Sequence, residues 1–157
     1  MTMTLYLVHH ADAVDSQVDP RRPLSILGRL AAERAAAQTA GHGAQPSVVW
    51  HSGKLRARQT AEIFWRACNP LAECSATRDL QPGDPPSWMR DRLKGESRDI
   101  MIVGHFPHLP ALLAMLPTPG AAPAPQGFPP HGVVALSTSD QGESWSEVWR
   151  IHVPAPA

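Results

Sequence analysis

The chain has 157 residues, 43% hydrophobic and 18% charged, with 14 lysines and arginines against 14 acidic residues. That composition is globular rather than disordered, suits a single domain over residues 1–157, and offers no basic stripe for nucleic acid or an anionic membrane. No apolar run approaches the roughly 20 residues that span a bilayer, and residues 1–8 lack the basic flank and apolar stretch of an export signal, so the expected location is the cytoplasm.

Residues 3–8 read as a short strand that stops at His9-His10, with a charged, turn-like segment over 12–22 beyond it. Residues 25–39 then suit a helix, with Ser25 as N-cap and Gly41 beyond its end. A second strand over 47–50 leads through Ser52-Gly53 into a helix over 55–67. A third strand is expected at 72–77, a short helix at 86–93, and a buried strand at 99–103 that ends in Gly104-His105. A helix over 107–116 follows, its prolines confined to the first turn.

Six prolines in the fourteen residues 117–130 predict a surface loop. Residues 132–137 and 145–152 read as a closing hairpin with its turn at 139–143. Strands alternating with helices predict an α/β fold, a three-layer α/β/α arrangement with an open, mostly parallel sheet of about five to six strands. Cys68 and Cys74 match no zinc or redox spacing and read as ordinary thiols.

In such a sheet ligands sit beyond the carboxyl ends of the strands, where loops and helix N-termini surround one crevice. The sequence places His9 and His10 at one strand end, Ser52 and Arg56 after another, and His105 and His108 after a third. Histidines and an arginine converging on helix N-termini describe an anion site that contains a potential nucleophile.

The run Leu5-Tyr6-Leu7-Val8-His9-His10-Ala11-Asp12-Ala13, the segment Arg22-Pro23-Leu24, the block from Ser52 to Ala61, the turn Leu80-Gln81-Pro82-Gly83-Asp84 and the end Val103-Gly104-His105 resemble the histidine phosphatase (phosphoglycerate-mutase-like) superfamily. Within it, the chain is similar to the small bacterial phosphohistidine phosphatases over about residues 3–137, and the Ser-x-x-x-Arg-Ala-x-Gln-Thr block is the most specific match. The resemblance implies a phosphatase that removes a phosphoryl group, foremost from protein phosphohistidine, through a covalent intermediate on His10. It makes Arg56 the phosphate-holding arginine and His105 the second catalytic histidine, with His9, Arg22 and Ser52 as substrate contacts. No metal or organic cofactor is implied. The expected partner is a phosphohistidine-bearing protein in signal transduction, or a small phosphoester, acted on by a monomer. For His10 to attack, one ring nitrogen must be unprotonated while a backbone carbonyl pins the other.

The family triplet carries an arginine where this chain has His9, exchanging a permanent bidentate donor for a group with an ordinary pKa of about 6.5. Loss of such a donor costs roughly 10²–10³ in rate where oxyanion donors have been deleted. Compensation is expected from bound phosphate holding His9 protonated, or from Arg22 or Arg21 reaching the site. Mutase-like relatives commonly donate a proton from a glutamate, for which this chain has no obvious equivalent; Asp84 lies in the turn where one would look. That absence favours a phosphoramidate, whose imidazole departs with little help. Once the sheet and helices are allocated, no segment large enough for a lid remains, which leaves the site open to a histidine on another protein.

Two other readings stand beside this one. A phosphate- or phosphoprotein-binding module would keep the fold and lose turnover along with the arginine. A metal-binding hydrolase would draw ligands from His9, His10, Asp12, His105 and His108, although Arg56 in the same pocket would repel an ion. His42, His51, His131 and His152 are expected to be surface or structural residues, with His131 placed where it could line the crevice.

Overall fold

The computed structural model describes residues 2–116 and 127–154. Of the loop expected at 117–130, only 127–130 fall within them. The elements alternate from β1 (Met3–His9) through α1 (Ile26–Gly41), β2 (Val48–His51), α2 (Leu55–Cys68), β3 (Glu73–Ala76), α3 (Pro86–Leu93), β4 (Ile100–Gly104) and α4 (His108–Met115) to the hairpin of β5 (Val133–Thr138) and β6 (Ser146–Ile151). The sheet has six strands in the order β3-β2-β4-β1-β5-β6; the first four run parallel, β5 runs against them, and β6 is antiparallel to β5. This is the three-layer α/β/α arrangement expected. No described helix is long and apolar enough to cross a membrane.

Strand periodicity divides the core in two. Tyr6, Val8, Val49, Met101 and Val103 pack with Ala32, Ala35, Ala57, Ala61 and Phe64 of α1 and α2. Leu5, Leu7, Trp50, Ile100 and Ile102 pack with Met89, Leu93, Leu109 and Leu112 of α3 and α4. Each fully buried leucine or isoleucine here contributes about 1.5–3 kcal/mol relative to exposure.

Helix α1 departs from expectation at its far end. It runs through Gly41, and the left-handed residue that closes it is Gly43 (φ 85°), whose amide bonds the Ala40 carbonyl. Its N-terminus is as expected, with Ser25 Oγ accepting from the Gly28 amide. Alanines and Gly28 form the inward face, while Ile26, Leu27 and Leu30 stay exposed. Gly28 is required here, because a Cβ would overlap the Asp12 carbonyl oxygen. The helix thereby lies directly against the loop that follows β1.

Candidate active site

The register of β1 with β4 sets His9 opposite Gly104, so His10 and His105 leave adjacent strand ends. The His10 amide continues the ladder to the Gly104 carbonyl at 3.1 Å. Alternation along both strands turns His10 and His105 toward α2 and turns His9 toward the other face. The His10 and His105 rings lie 5.1 Å apart.

The two neighbouring histidines are held in opposite protonation patterns. His10 Nδ1 lies 2.8 Å from the Ala11 carbonyl oxygen, which only accepts, so Nδ1 carries the proton and Nε2 keeps its lone pair. This is the backbone carbonyl that a nucleophilic imidazole requires. Burial lowers the His10 pKa to about 4, against the Ala11 bond and with added repulsion from Arg56, His131 and Arg22. His9 Nδ1 instead accepts from the His131 amide at 2.7 Å, so Nδ1 is unprotonated and the neutral ring carries its proton on Nε2. The His9 ring is stacked between Phe106 at 4.0 Å and His131 at 4.7 Å. Burial, then His10, His131, His105 and Arg56, push its pKa down to about 2.

This corrects the idea of a phosphate-stabilised His9 cation. A charged His9 would set an N–H against the His131 N–H in a buried stack.

His105 is 1% exposed, and burial followed by His10 and Arg56 brings its pKa to about 3. Its Nε2 meets Ser52 Oγ at 2.6 Å, while its Nδ1 is buried with no partner. Ser52, expected among the substrate contacts, therefore engages His105, and its own carbonyl accepts from Gln81 at 2.8 Å. Arg56, in the first turn of α2, also has a buried, unpartnered Nε. Burial, then the charge of Arg22, lowers its pKa. Buried donors left open are costly, by about 1–3 kcal/mol each, unless an anion meets them.

Arg22 sits in the left-handed region (φ 50°) and donates from Nε to the Val14 carbonyl at 3.1 Å. Its charge bears on both His10 and Arg56, so the loop after β1 returns a guanidinium to the cluster. Thr60 links two of these parts: its Oγ1 accepts from the Ala11 amide at 3.0 Å and donates to the Arg56 carbonyl at 2.9 Å. Gln59 accepts from the Leu24 amide at 2.8 Å and so fixes the far end of the Arg22 loop.

His131 belongs to the cluster more closely than the sequence reading placed it. Its amide holds His9, and its Nδ1 donates to the His10 carbonyl at 2.7 Å. The sequence offered one signal, a histidine just before β5; what makes it part of the site is the pairing of β5 beside β1. His108 is buried at the start of α4, on the side of Asp79 and Asp84. Asp84 accepts from the Gln81 amide at 3.0 Å, which closes its own turn. His42 stacks on Trp149, and His152 is exposed.

Of the residues considered as metal ligands, His9 and His10 gather with His131, one ring nitrogen of each within 4.8 Å of the others. The set fits an ion poorly. His9 and His131 lie in planes 7° apart, so their in-plane lone pairs do not converge, and Arg56 adds a positive charge beside them.

No protein-family model matches the sequence, and no curated protein sequence matches it either. Solved structures do. A protein histidine phosphatase SixA in complex with tungstate superposes with TM-score 0.78 at 22% identity, over 96% of this chain and 97% of that one. A provisionally named phosphohistidine phosphatase SixA from Agrobacterium tumefaciens gives TM-score 0.77 at 25% identity over 98% of both chains. Another so named, from Nakamurella multipartitia, gives 0.74 at 24% over 99% and 98%.

Proposed function

We propose that this chain, which has the fold of the histidine phosphatase superfamily, is a phosphatase that takes a phosphoryl group from protein phosphohistidine through a covalent intermediate on His10. The reading treats residues 1–157 as one domain that works as a monomer in the cytoplasm, without a metal or organic cofactor. One observation carries it: His10 has Nδ1 tied to a backbone carbonyl and Nε2 free, beside unpartnered buried nitrogens of Arg56 and His105. The likeness to a SixA structure that holds tungstate, a tetrahedral oxyanion, supports the same reading.

In the first step His10 Nε2 attacks phosphorus and the imidazole of the substrate departs. The phosphoryl oxygens meet Arg56 and Arg22, whose charges persist at neutral pH, while His105 and the neutral Nε2–H of His9 donate hydrogen bonds. In the second step water attacks phospho-His10, which releases phosphate and restores the free lone pair. The depressed pKa of His10 keeps it nucleophilic at neutral pH.

A second reading follows from His9. With a neutral donor in place of a guanidinium, the site would bind phosphate or a phosphoprotein without turnover. Wild type, His9→Arg and His10→Ala, assayed on phosphohistidine-labelled protein and on 4-nitrophenyl phosphate, separate the two. Phosphate release by wild type, with a phosphoryl adduct on His10 by mass spectrometry at a pH that preserves phosphoramidates, is the expected result. Release by His9→Arg alone would favour the binding module.

A further inference from the structure

An alcohol leaving a phosphoryl group needs a proton, and Asp12, the carboxylate nearest His10 along the chain, is engaged by the Ser25 hydroxyl at 2.6 Å. The charges that bear most on His9, His10 and His105 are those of other histidines, Arg56, Arg22 and Lys54. Among the imidazoles, the backbone partners decide which can carry a transferable proton. His9 is fixed neutral by the amide it accepts from, His10 must keep Nε2 free, and His105 is buried at 1% exposure with Nε2 against Ser52.

His131 differs from all three. Its Nδ1 donates to a carbonyl, a bond that both the neutral and the charged ring can make, and its Nε2 has no hydrogen bond among the described residues. The ring is only partly buried, unlike those of His9, His10 and His105. One of its nitrogens lies within 4.8 Å of one on His10, close enough for both rings to meet one phosphoryl group. His131 also lines a cavity of about 440 Å³, together with Asp12, Leu27, Leu30, Arg34 and His152. Its backbone is held in the left-handed region at φ 57°, which costs a non-glycine residue about 1 kcal/mol or more and fixes the ring's approach.

We infer that His131 is the proton donor and acceptor of the reaction, with the leaving group released into this cavity, so that the site also cleaves phosphoesters of poor leaving groups. The inference rests on the phosphatase reading above. In the first half, the His10 Nε2–P bond forms and the P–O bond to the alcohol breaks, while the His131 imidazolium passes its Nε2 proton to the departing oxygen. In the second, water adds to phosphorus, the N–P bond breaks, and neutral His131 takes the proton of the water, so the enzyme ends as it began. The charged and titratable groups facing His131 are His9 and His10 from the end of β1, Asp12 from the loop after it, Arg34 from α1 and His152 after β6, with Arg22 and Arg56 beyond His10.

The test is His131→Asn, which tolerates a positive φ and keeps the amide that holds His9. Phospho-His10 formation is followed by rapid quench on phenyl phosphate and on 4-nitrophenyl phosphate across pH 5–8, with melting temperatures to verify folding. The expected result is a loss of roughly 10²-fold on phenyl phosphate and less than about 3-fold on 4-nitrophenyl phosphate, because general acid catalysis matters in proportion to the basicity of the leaving group. Equal losses on both substrates would overturn the inference and leave His131 as a positioning residue, with the His10 reading intact. A wild-type enzyme that forms phospho-His10 from neither ester nor phosphohistidine protein would overturn both.

Discussion

His9 and His10 are consecutive residues of one strand end, yet the two faces of the sheet make them different reagents. On the α1/α2 face His10 donates Nδ1–H to a carbonyl and keeps a free lone pair. On the opposite face His9 accepts an amide proton and is stacked between Phe106 and His131. Both rings are buried and both are neutral, so burial alone does not distinguish them. The difference comes from whether the backbone group at Nδ1 gives or takes a proton.

The sharpest way to break this contrast is to remove His10. His10→Asn should lower phosphate release by at least about 10³-fold, as loss of a covalent nucleophile does elsewhere, and should leave no phosphoryl adduct on the chain. Turnover that survives the change would end the covalent mechanism. Arg56→Ala should follow at about 10²–10³-fold in kcat/KM, with weaker binding of inorganic phosphate measured by calorimetry. A variant that binds phosphate as tightly as wild type would show that the unpartnered Nε is not an anion contact.

His9→Arg tests the other half of the comparison. The planar guanidinium would restore a charged donor but has no lone pair to accept the His131 amide, so kcat/KM should rise by no more than about tenfold. An unchanged or lower value, in a folded variant, would mean that the neutral Nε2–H already matches this site's needs.

Acid sharpens the picture through stability. The pKa values of His9, His10 and His105 are lowered by burial to about 2, 4 and 3, so the folded state leaves these rings neutral while the unfolded chain protonates near 6.5. Their burial has no pH-dependent effect above pH about 6.5. Stability then falls as pH drops below that value, by up to about 1.4 kcal/mol per pH unit for each ring until its folded pKa is reached. Denaturant melts at pH 7, 6 and 5 should show the decline. His9→Asn should make the slope shallower by one histidine's share, and an identical slope in the variant would contradict the assigned neutral state.

Much of this site was legible in the sequence because it depends on strand ends. Short apolar runs that stop at His10 and His105, and a helix that starts near Arg56, are enough to bring three side chains to one edge of a parallel sheet. Two features were not legible. His131 lies 121 residues from His10, and its contact depends on an antiparallel strand pairing beside β1 that no local pattern specifies. The protonation patterns of His9 and His10 depend on which backbone group faces each Nδ1, and adjacent identical residues give no hint of that. The exposed side of α1 was similarly hidden: Leu27 and Leu30 look like core positions, but Gly28 and the alanines let the backbone come so close that the larger side chains are left outside.

The hydroxyl of Thr60 ties the Ala11 amide, next to His10, to the carbonyl of Arg56. On the proposed mechanism, attacking atom and anion-gripping atom therefore keep their spacing through a single strut. A methyl in its place, as in Thr60→Val, would leave every reacting group intact and still detune the machine, by letting two halves of one ruler slide past each other.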